Sequence, residues 1–301
     1  MPKTIPTHPG LRMEVHPLNI KTLTGILQND LSLLACPRCG QPFSLNGGSL
    51  RCNGNHCYDL AAKGYVNLAP QRDQSKEKYD AALFESRSVV LESGFYAPVL
   101  EAVAQLLSAR FGDAPFSLLD AGCGEGYYAR SLAGRFPQSR VIGIDLSRDG
   151  ILAAARKPGN VLWLVADLKQ LPLGDERIDV VLDVLTPASY DAFRRVLKPG
   201  GELIKVIPDS DYLCEIRSAF QPYLRQEGYS NRQVLEHLGK HAQILEQREV
   251  RSTLPLTPEQ ASAFLRMTPM GFSVPEAVLE ETRLDEITLH LQVIRCRFGD
   301  E

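Results

Sequence analysis

The chain has 301 residues, a formal charge of −3 at pH 7, 44% apolar residues and 23% charged residues. This length accommodates one full α/β domain with one or two smaller units, and the apolar content predicts a packed core rather than a disordered chain. No apolar run approaches the roughly 20 residues that a bilayer span requires. The N-terminal stretch lacks the apolar segment and cleavage site of a secretory signal. We therefore expect a cytoplasmic protein without a membrane partner.

The charge is unevenly distributed along the chain. Residues 1–90 contain 10 Lys and Arg against 7 Asp and Glu, whereas the remainder contains 23 against 29. A basic N-terminal part followed by an acidic remainder is consistent with a protein that presents one surface to a polyanion. Ordinary scatter of surface charge would explain the same numbers, so this asymmetry excludes only a strongly basic nucleic-acid binder.

Composition divides the chain into four parts. Residues 1–30 form an N-terminal extension, and residues 31–70, which are rich in Cys, Gly, Asn and Pro, predict a small hairpin-based module. Residues 71–110 begin polar and become helical, which predicts a helical linker. Residues 111–301 form the large domain.

Four potential metal ligands lie in the small module. Cys36 and Cys39 are separated by two residues, and twelve residues later Cys52 is followed at four positions by His56. Two ligands from each of two turns suit tetrahedral zinc, and a closed four-ligand set indicates a structural site. Cys57 is the alternative fourth ligand. The total of seven cysteines is odd, which argues against a disulfide framework; ordinary buried or redox-active thiols are the other alternative.

Strand and helix patterns alternate from residue 116 onward. Predicted strands span 117–121, 141–145, 161–165, 178–184 and 202–207, and predicted helices span 127–136, 147–156 and 189–197. This alternation predicts a parallel, doubly wound sheet covered by helices on both faces. Two long strand patterns, at 244–254 and 287–297, would complete the sheet, with a helix at 258–267 between them.

A glycine turn follows the first of these strands. Asp120, Gly122, Gly124 and Gly126 form the pattern D-x-G-x-G-x-G, in which glycines permit a tight turn and a close approach of ligand to backbone. The dinucleotide-binding pattern is G-x-G-x-x-G, so this spacing disfavours a dehydrogenase. It resembles motif I of class I methyltransferases, which implies S-adenosylmethionine as the cofactor.

Two further carboxylates follow the next two strands. Asp145 ends the second strand, where a carboxylate can accept both ribose hydroxyls of a nucleoside. Asp167 follows the third strand, where class I methyltransferases place an acid near the adenine amino group. A strand-end cap and a loop acid are the respective alternatives, but the signals together favour a cofactor site.

Several local motifs resemble the RlmA/TlrB family of 23S rRNA guanine-N1 methyltransferases. They are Cys-Pro-Arg-Cys at 36–39, Lys-Gly-Tyr-Val-Asn-Leu at 63–68, Glu-Ser-Gly-Phe-Tyr at 92–96, the glycine turn through Tyr128, and Leu-Thr-Pro-Ala at 185–188. The resemblance covers about residues 31–301. It implies a class I methyltransferase domain behind a zinc-binding module that recognises RNA, with Cys36, Cys39, Cys52 and His56 as the zinc ligands. It also implies that Asp120, the three glycines and Asp145 contact the cofactor; for Asp167 the family is less uniform.

The run Leu-Thr-Pro-Ala-Ser-Tyr at 185–190 is similar to the Gram-positive branch of this family. That branch methylates guanine 748 in the hairpin 35 loop of 23S rRNA and is linked to resistance to the macrolide tylosin, whereas the sister branch methylates guanine 745. The sequence leaves open which guanine is the target and what the oligomeric state is, a homodimer included.

Guanine N1 carries a proton at neutral pH, so methyl transfer requires a proton acceptor near it. The candidates follow the fourth strand: Asp183, which could instead satisfy a local contact, Thr186 and Tyr190. Tyr65 and Asn67 could contact RNA bases, although core packing explains them equally well. Potential phosphate contacts are Arg51, Lys63, Arg72, Lys76 and Lys78, although a solvated charged segment explains them equally well.

Two other classes of function remain. A methyltransferase that acts on a small molecule would need no zinc module, and its turnover would survive the loss of zinc. A non-catalytic RNA-binding protein would be expected to have lost the glycine turn, which is present here.

Overall fold

The computed structural model describes residues 19–69, 79–224 and 229–299. In these ranges the helices are α1 Ile20–Asp30, α2 Ala81–Glu92, α3 Ala97–Phe111, α4 Tyr127–Arg135, α5 Arg148–Ala155, α6 Tyr190–Val196, α7 Cys214–Ala219, α8 Arg232–His241, α9 Pro258–Met267 and α10 Glu276–Glu281. The strands are β1 Phe43–Asn46, β2 Ser49–Cys52, β3 Cys57–Ala61, β4 Tyr65–Asn67, β5 Ser117–Ala121, β6 Arg140–Asp145, β7 Leu162–Val165, β8 Ile178–Val184, β9 Leu197–Pro208, β10 Ala242–Pro255 and β11 Glu286–Phe298.

The strands form one sheet in the order β1-β2-β3-β4-β7-β6-β5-β8-β9-β11-β10. Its centre, from β4 to β9, is parallel. The first four strands pair antiparallel, and so do the last three positions of the sheet. The predicted mainly parallel, doubly wound fold is confirmed, with antiparallel strands added at both edges.

Local sequence signals account for where several helices begin. The side chain of Thr257 accepts a hydrogen bond from the backbone of Gln260, whose side chain accepts one from the backbone of Thr257, and this capping box starts α9. Ser147 caps α5 in a similar way by accepting from the N–H of Gly150. Within the described ranges no single helix is long and apolar enough to cross a bilayer; α2 and α3 qualify only as a pair, bent by 74°.

Strand β9 differs from its predicted limits of 202–207. It begins at Leu197, which pairs with Ile178 of β8 before a register shift leads to the pair Val180 and Glu202. The Lys-Pro-Gly-Gly segment at 198–201 is therefore part of β9 and forms the irregularity in its pairing with β8. The other predicted strands of the large domain agree with the structure to within two residues.

The cysteine-rich module is joined to the large domain by hydrogen bonds at two places. Strand β4 pairs in parallel with β7, and the N–H of Leu68 donates to the carbonyl of Val165 at 2.9 Å. The N–H of Ala35 donates to the carbonyl of Pro172 at 3.0 Å, and Leu34 forms a bridge with Leu173. Both parts of the chain therefore share one sheet. The domain limits at residues 30, 70 and 110 stay predictions.

Candidate functional site

The glycine turn lies between β5 and α4, where its tight packing requires glycine. Gly122 has a φ of +76°, and a Cβ there would lie 2.5 Å from side-chain atoms of Thr186. Gly126 has a φ of +75°, and a Cβ there would lie 2.3 Å from the indole of the fully buried Trp163. The turn is held to the neighbouring strand by the N–H groups of Gly122 and Cys123, which both donate to the carbonyl of Ile144.

Asp145 is the last residue of β6 and Asp120 the last but one of β5, the two strands beside this turn. The carboxylate of Asp145 accepts hydrogen bonds from the N–H of Gly124 at 2.9 Å and from the N–H of Ser147 at 2.7 Å. The carboxylate of Asp120 accepts from the N–H of Ala129, in the first turn of α4. Burial raises the pKa of both groups, and that of Asp120 reaches about 8.

A second acid in the turn, Glu125, was not predicted from the sequence. Its carboxylate is 1% exposed and lies 3.0 Å from Nε of Arg87, which α2 brings over the turn. Burial disfavours the charged guanidinium, but Glu125 outweighs it and raises the pKa of Arg87 above its usual value. Glu125 stands inside the motif and could have been noticed there. Arg87 carried no signal, because only the tertiary fold brings α2 to this position.

These buried carboxylates fit a cationic ligand. Glu125, Asp145 and Asp183 each add to the effect of burial in raising the pKa of Asp120. A positive charge placed among them would relieve this repulsion. The methyl donor carries a sulfonium cation, so the charge of these carboxyl groups suits it.

Three tyrosines cover the same region. Tyr96 and Tyr128 belong to motifs found in the sequence but had no predicted role, and Tyr212 was not predicted at all. The hydroxyls of Tyr96 and Tyr212 lie 2.6 Å apart, and the hydroxyl of Tyr128 is buried with no hydrogen-bonding partner in the described part of the chain. Burial raises the pKa of all three above its usual value. They therefore stay protonated at neutral pH and can serve as hydrogen-bond donors.

Asp183 and the other candidate proton acceptors have different surroundings. Asp183 is fully buried, and one carboxylate oxygen lies 2.7 Å from Nζ of Lys205. Burial raises its pKa to about 6, although Lys205 opposes the shift. Thr186 lies beside the glycine turn, with its hydroxyl 3.2 Å from the carbonyl of Val184. Tyr190 packs against the rings of His237 and His241, and burial raises its pKa to about 12.

The four predicted zinc ligands come together. The Sγ atoms of Cys39 and Cys52 lie 3.6 Å apart, and Nδ1 of His56 lies 3.4 Å from Sγ of both Cys36 and Cys52. Tetrahedral zinc with ordinary bond lengths separates two sulfurs by about 3.8 Å and sulfur from nitrogen by about 3.6 Å. All four ligand atoms lie within 4.8 Å of one another, and this set does not include the exposed Cys57.

The candidate RNA-contacting side chains differ in their exposure to solvent. Tyr65 is 5% exposed, and its hydroxyl accepts a hydrogen bond from Arg148, which favours the core-packing alternative. The side chain of Asn67 accepts from the N–H of Ala69. Arg51 and Lys63 are exposed. The remaining three candidates, Arg72, Lys76 and Lys78, lie outside the described residues.

Comparison with known proteins agrees with both parts of this site. Residues 118–201 match the family model described as a methyltransferase domain, and residues 34–77 match the zinc-ribbon model described as the N-terminal part of RlmA. A Bacillus subtilis protein with the provisional name 23S rRNA (guanine-N(1)-)-methyltransferase YxjB is 36% identical over 275 residues, which cover 88% of this chain and 97% of that protein. The chain belongs to the family of 23S rRNA (guanine-N1-)-methyltransferases.

A second member of this methyltransferase family supports the same assignment. The 23S rRNA (guanine(748)-N(1))-methyltransferase of Streptomyces fradiae is 30% identical over 278 residues, which cover 90% of this chain and 98% of that protein. The chain is therefore an S-adenosylmethionine-dependent methyltransferase with a structural zinc site in its N-terminal module. The predicted family, cofactor and metal are confirmed.

Proposed function

We propose that this chain transfers a methyl group from S-adenosylmethionine to N1 of a guanine in 23S rRNA, and that the guanine is number 748 in the hairpin 35 loop. The observation that carries the proposal is a sequence match to rRNA methyltransferases that spans nearly their whole length and includes both the zinc module and the catalytic domain. In this chain the two parts share one sheet. The choice of position 748 follows the name of the Streptomyces fradiae relative and the 185–190 motif.

Within this proposal the residues around the glycine turn bind the cofactor. The turn, Gly122 to Gly126, packs beside the methionine portion, and Asp145 accepts hydrogen bonds from the ribose hydroxyls. Asp120 holds the first turn of α4 against β5 through its bond to Ala129. Asp167, which follows β7, accepts a hydrogen bond from the adenine amino group. The cofactor supplies an electrophilic methyl group bound to a positively charged sulfur.

The protein must also expose N1 and remove its proton. N1 lies on the pairing edge of guanine, so the base has to leave its stack to reach the site. Asp183 is our proposed proton acceptor. Its pKa of about 6 leaves it mostly ionised at neutral pH, although its buried ion pair with Lys205 would have to open toward the base. Tyr190 stays protonated at neutral pH and cannot take this role.

Primer extension on 23S rRNA tests the proposal, because a methyl group on N1 blocks base pairing and stops reverse transcriptase. Purified protein, S-adenosylmethionine and unmethylated rRNA should produce a new stop at guanine 748. A stop at guanine 745 would correct the position and leave the reaction intact. The absence of any stop, with a protein that binds S-adenosylhomocysteine, would overturn the rRNA assignment and favour a small-molecule substrate. Cells that gain the gene should also gain tylosin resistance.

A further inference from the structure

A groove of about 580 Å³ lies between the zinc cluster and the large domain. Its volume falls in the range of about 300–1,000 Å³ that is usual for small-ligand sites. One wall comes from the zinc module and includes Arg38, His56 and Tyr58, and the other comes from the large domain and includes Leu146, Asp167 and Gln170. The groove therefore exists only because the two parts of the chain are fixed together.

The position of β4 places the groove at the carboxyl ends of the parallel strands. Strand β4 runs parallel to β7, with Asn67 opposite Val165, so the two strands end at the same edge of the sheet. In open α/β sheets, ligands bind outside the carboxyl ends of the parallel strands. Leu68 and Ala69, which follow β4, line the groove together with Leu146 after β6 and Ala166 after β7. The zinc module thus adds strand β4 to the parallel strands whose carboxyl ends form the cofactor side of the sheet.

The zinc ligands stand close to the module's wall of this groove. His56 is itself a lining residue, and Arg38 lies between the ligands Cys36 and Cys39. The backbone leading into Cys36 is held by the bond from Ala35 to Pro172 of the large domain. Binding of zinc therefore fixes the two turns that form the module's wall.

We propose that the zinc module forms one wall of the methyl-donor site and that the adenosine end of S-adenosylmethionine occupies this groove. The inference rests on the proposed function, which places the adenine near Asp167. Among the lining residues the charges of Arg38 and Asp167 offset each other, and Leu68, Ala69, Leu146 and Ala166 supply apolar surface. Such a lining suits a flat, uncharged base better than a phosphate backbone, which would favour a basic surface.

Zinc and the cofactor consequently bind with positive coupling. Loss of zinc frees the module's wall and weakens cofactor binding, and by reciprocity bound cofactor strengthens the retention of zinc by the same factor. Typical couplings of this kind amount to about 5–150-fold.

The first test is calorimetric titration of the zinc-loaded full chain with S-adenosylhomocysteine. Ala69→Trp places an indole in the groove, and Asn46→Trp places one on β1, the strand of the module farthest from β7. Ala69→Trp should lower the affinity about tenfold or more with zinc content unchanged, whereas Asn46→Trp should bind like the parent. Parental affinity in Ala69→Trp together with weaker binding of rRNA would overturn the inference, because the groove would then belong to the RNA.

The second test uses the unaltered chain and does not depend on how a variant folds. The equilibrium affinity for zinc is measured by competition with a coloured chelator, with and without saturating S-adenosylhomocysteine. We expect the ligand to raise the affinity for zinc about fivefold or more. Equal affinities would refute the coupling. If the unaltered chain does not bind S-adenosylhomocysteine at all, the proposed function itself is wrong. Failure of the proposed function is thereby distinguished from failure of the coupling.

Discussion

Nζ of Lys205 lies 2.7 Å from a carboxylate oxygen of Asp183, and the two side chains are 5% and 0% exposed. The lysine comes from β9 and the aspartate from β8, which lie side by side, with Asp183 opposite Lys205 in the parallel register. Nζ also donates to the carbonyl of Thr186 at 3.2 Å. This buried pair therefore links the end of β8 to the turn that packs against Gly122.

Removing one member of this pair should destabilise the protein more than removing both. Lys205→Met leaves an unpaired buried carboxylate, for which we expect a loss of about 3–5 kcal/mol in the free energy of unfolding. Asp183→Asn combined with Lys205→Met should recover most of that loss in urea denaturation. A double variant as unstable as Lys205→Met would contradict the ion-pair explanation.

The same double variant tests the proposed proton acceptor. If Asp183 removes the N1 proton, the folded double variant should bind S-adenosylhomocysteine but methylate rRNA about 10²-fold more slowly or worse. Single-turnover rates across pH 5–9 provide the measurement. A rate near that of the parent would exclude Asp183 from proton removal.

Asp120 should make stability depend on pH. Its ordinary pKa of 3.8 is raised to about 8 by burial, with the neighbouring carboxylates adding to the effect. Between pH 4 and 8 the folded chain therefore keeps a proton that the unfolded chain has released, so stability falls as pH rises, by up to about 1.4 kcal/mol per pH unit. Asp120→Asn can still accept the bond from Ala129 and removes this dependence.

Thermal unfolding at several pH values checks the expectation. The Tm of Asp120→Asn minus the Tm of the parent should increase from pH 5 to pH 8. Asp113→Asn, which changes an exposed carboxyl, serves as the matched control and should follow the parent. A constant difference for Asp120→Asn would show that the buried carboxyl does not hold its proton in this range.

Gly122→Ala should damage the site beyond the cost of backbone strain. Gly47 has a similar left-handed conformation, with a φ of +56°, but a Cβ added there would meet no atom within 4 Å, whereas a Cβ at Gly122 meets Thr186. Gly47→Ala should cost about 1–2 kcal/mol from strain alone. Gly122→Ala should cost more and abolish binding of S-adenosylhomocysteine. Equal stability losses with retained binding would argue against the close approach of Gly122 and Thr186.

The metal cluster predicts a difference between neighbouring residues. Cys52→Ser should lose zinc, because its thiolate is one of four ligands that converge. Cys57→Ser alters a thiol outside that set and should retain about one zinc per chain. Elemental analysis of the purified proteins distinguishes them. If Cys57→Ser lost its zinc, Cys57 would be the fourth zinc ligand in place of His56.

Local patterns in the sequence were sufficient for the elements that depend on neighbouring residues. Apolar runs predicted β5 and β8 to the residue, and the predicted helix at 258–267 has the limits of α9. The spacing of Cys36, Cys39, Cys52 and His56 predicted the metal cluster, because ligands on two turns of a short hairpin meet without help from the rest of the chain.

Only the tertiary structure decided which distant residues meet around the site. Lys205 pairs with Asp183, Arg87 pairs with Glu125, and β4 joins β7, each across a long separation in sequence. Tyr65 was a candidate RNA contact but lies buried under this arrangement. Such pairings depend on the register of the sheet and on compensation of buried charge, which are properties of the whole fold and leave no periodic trace in the sequence.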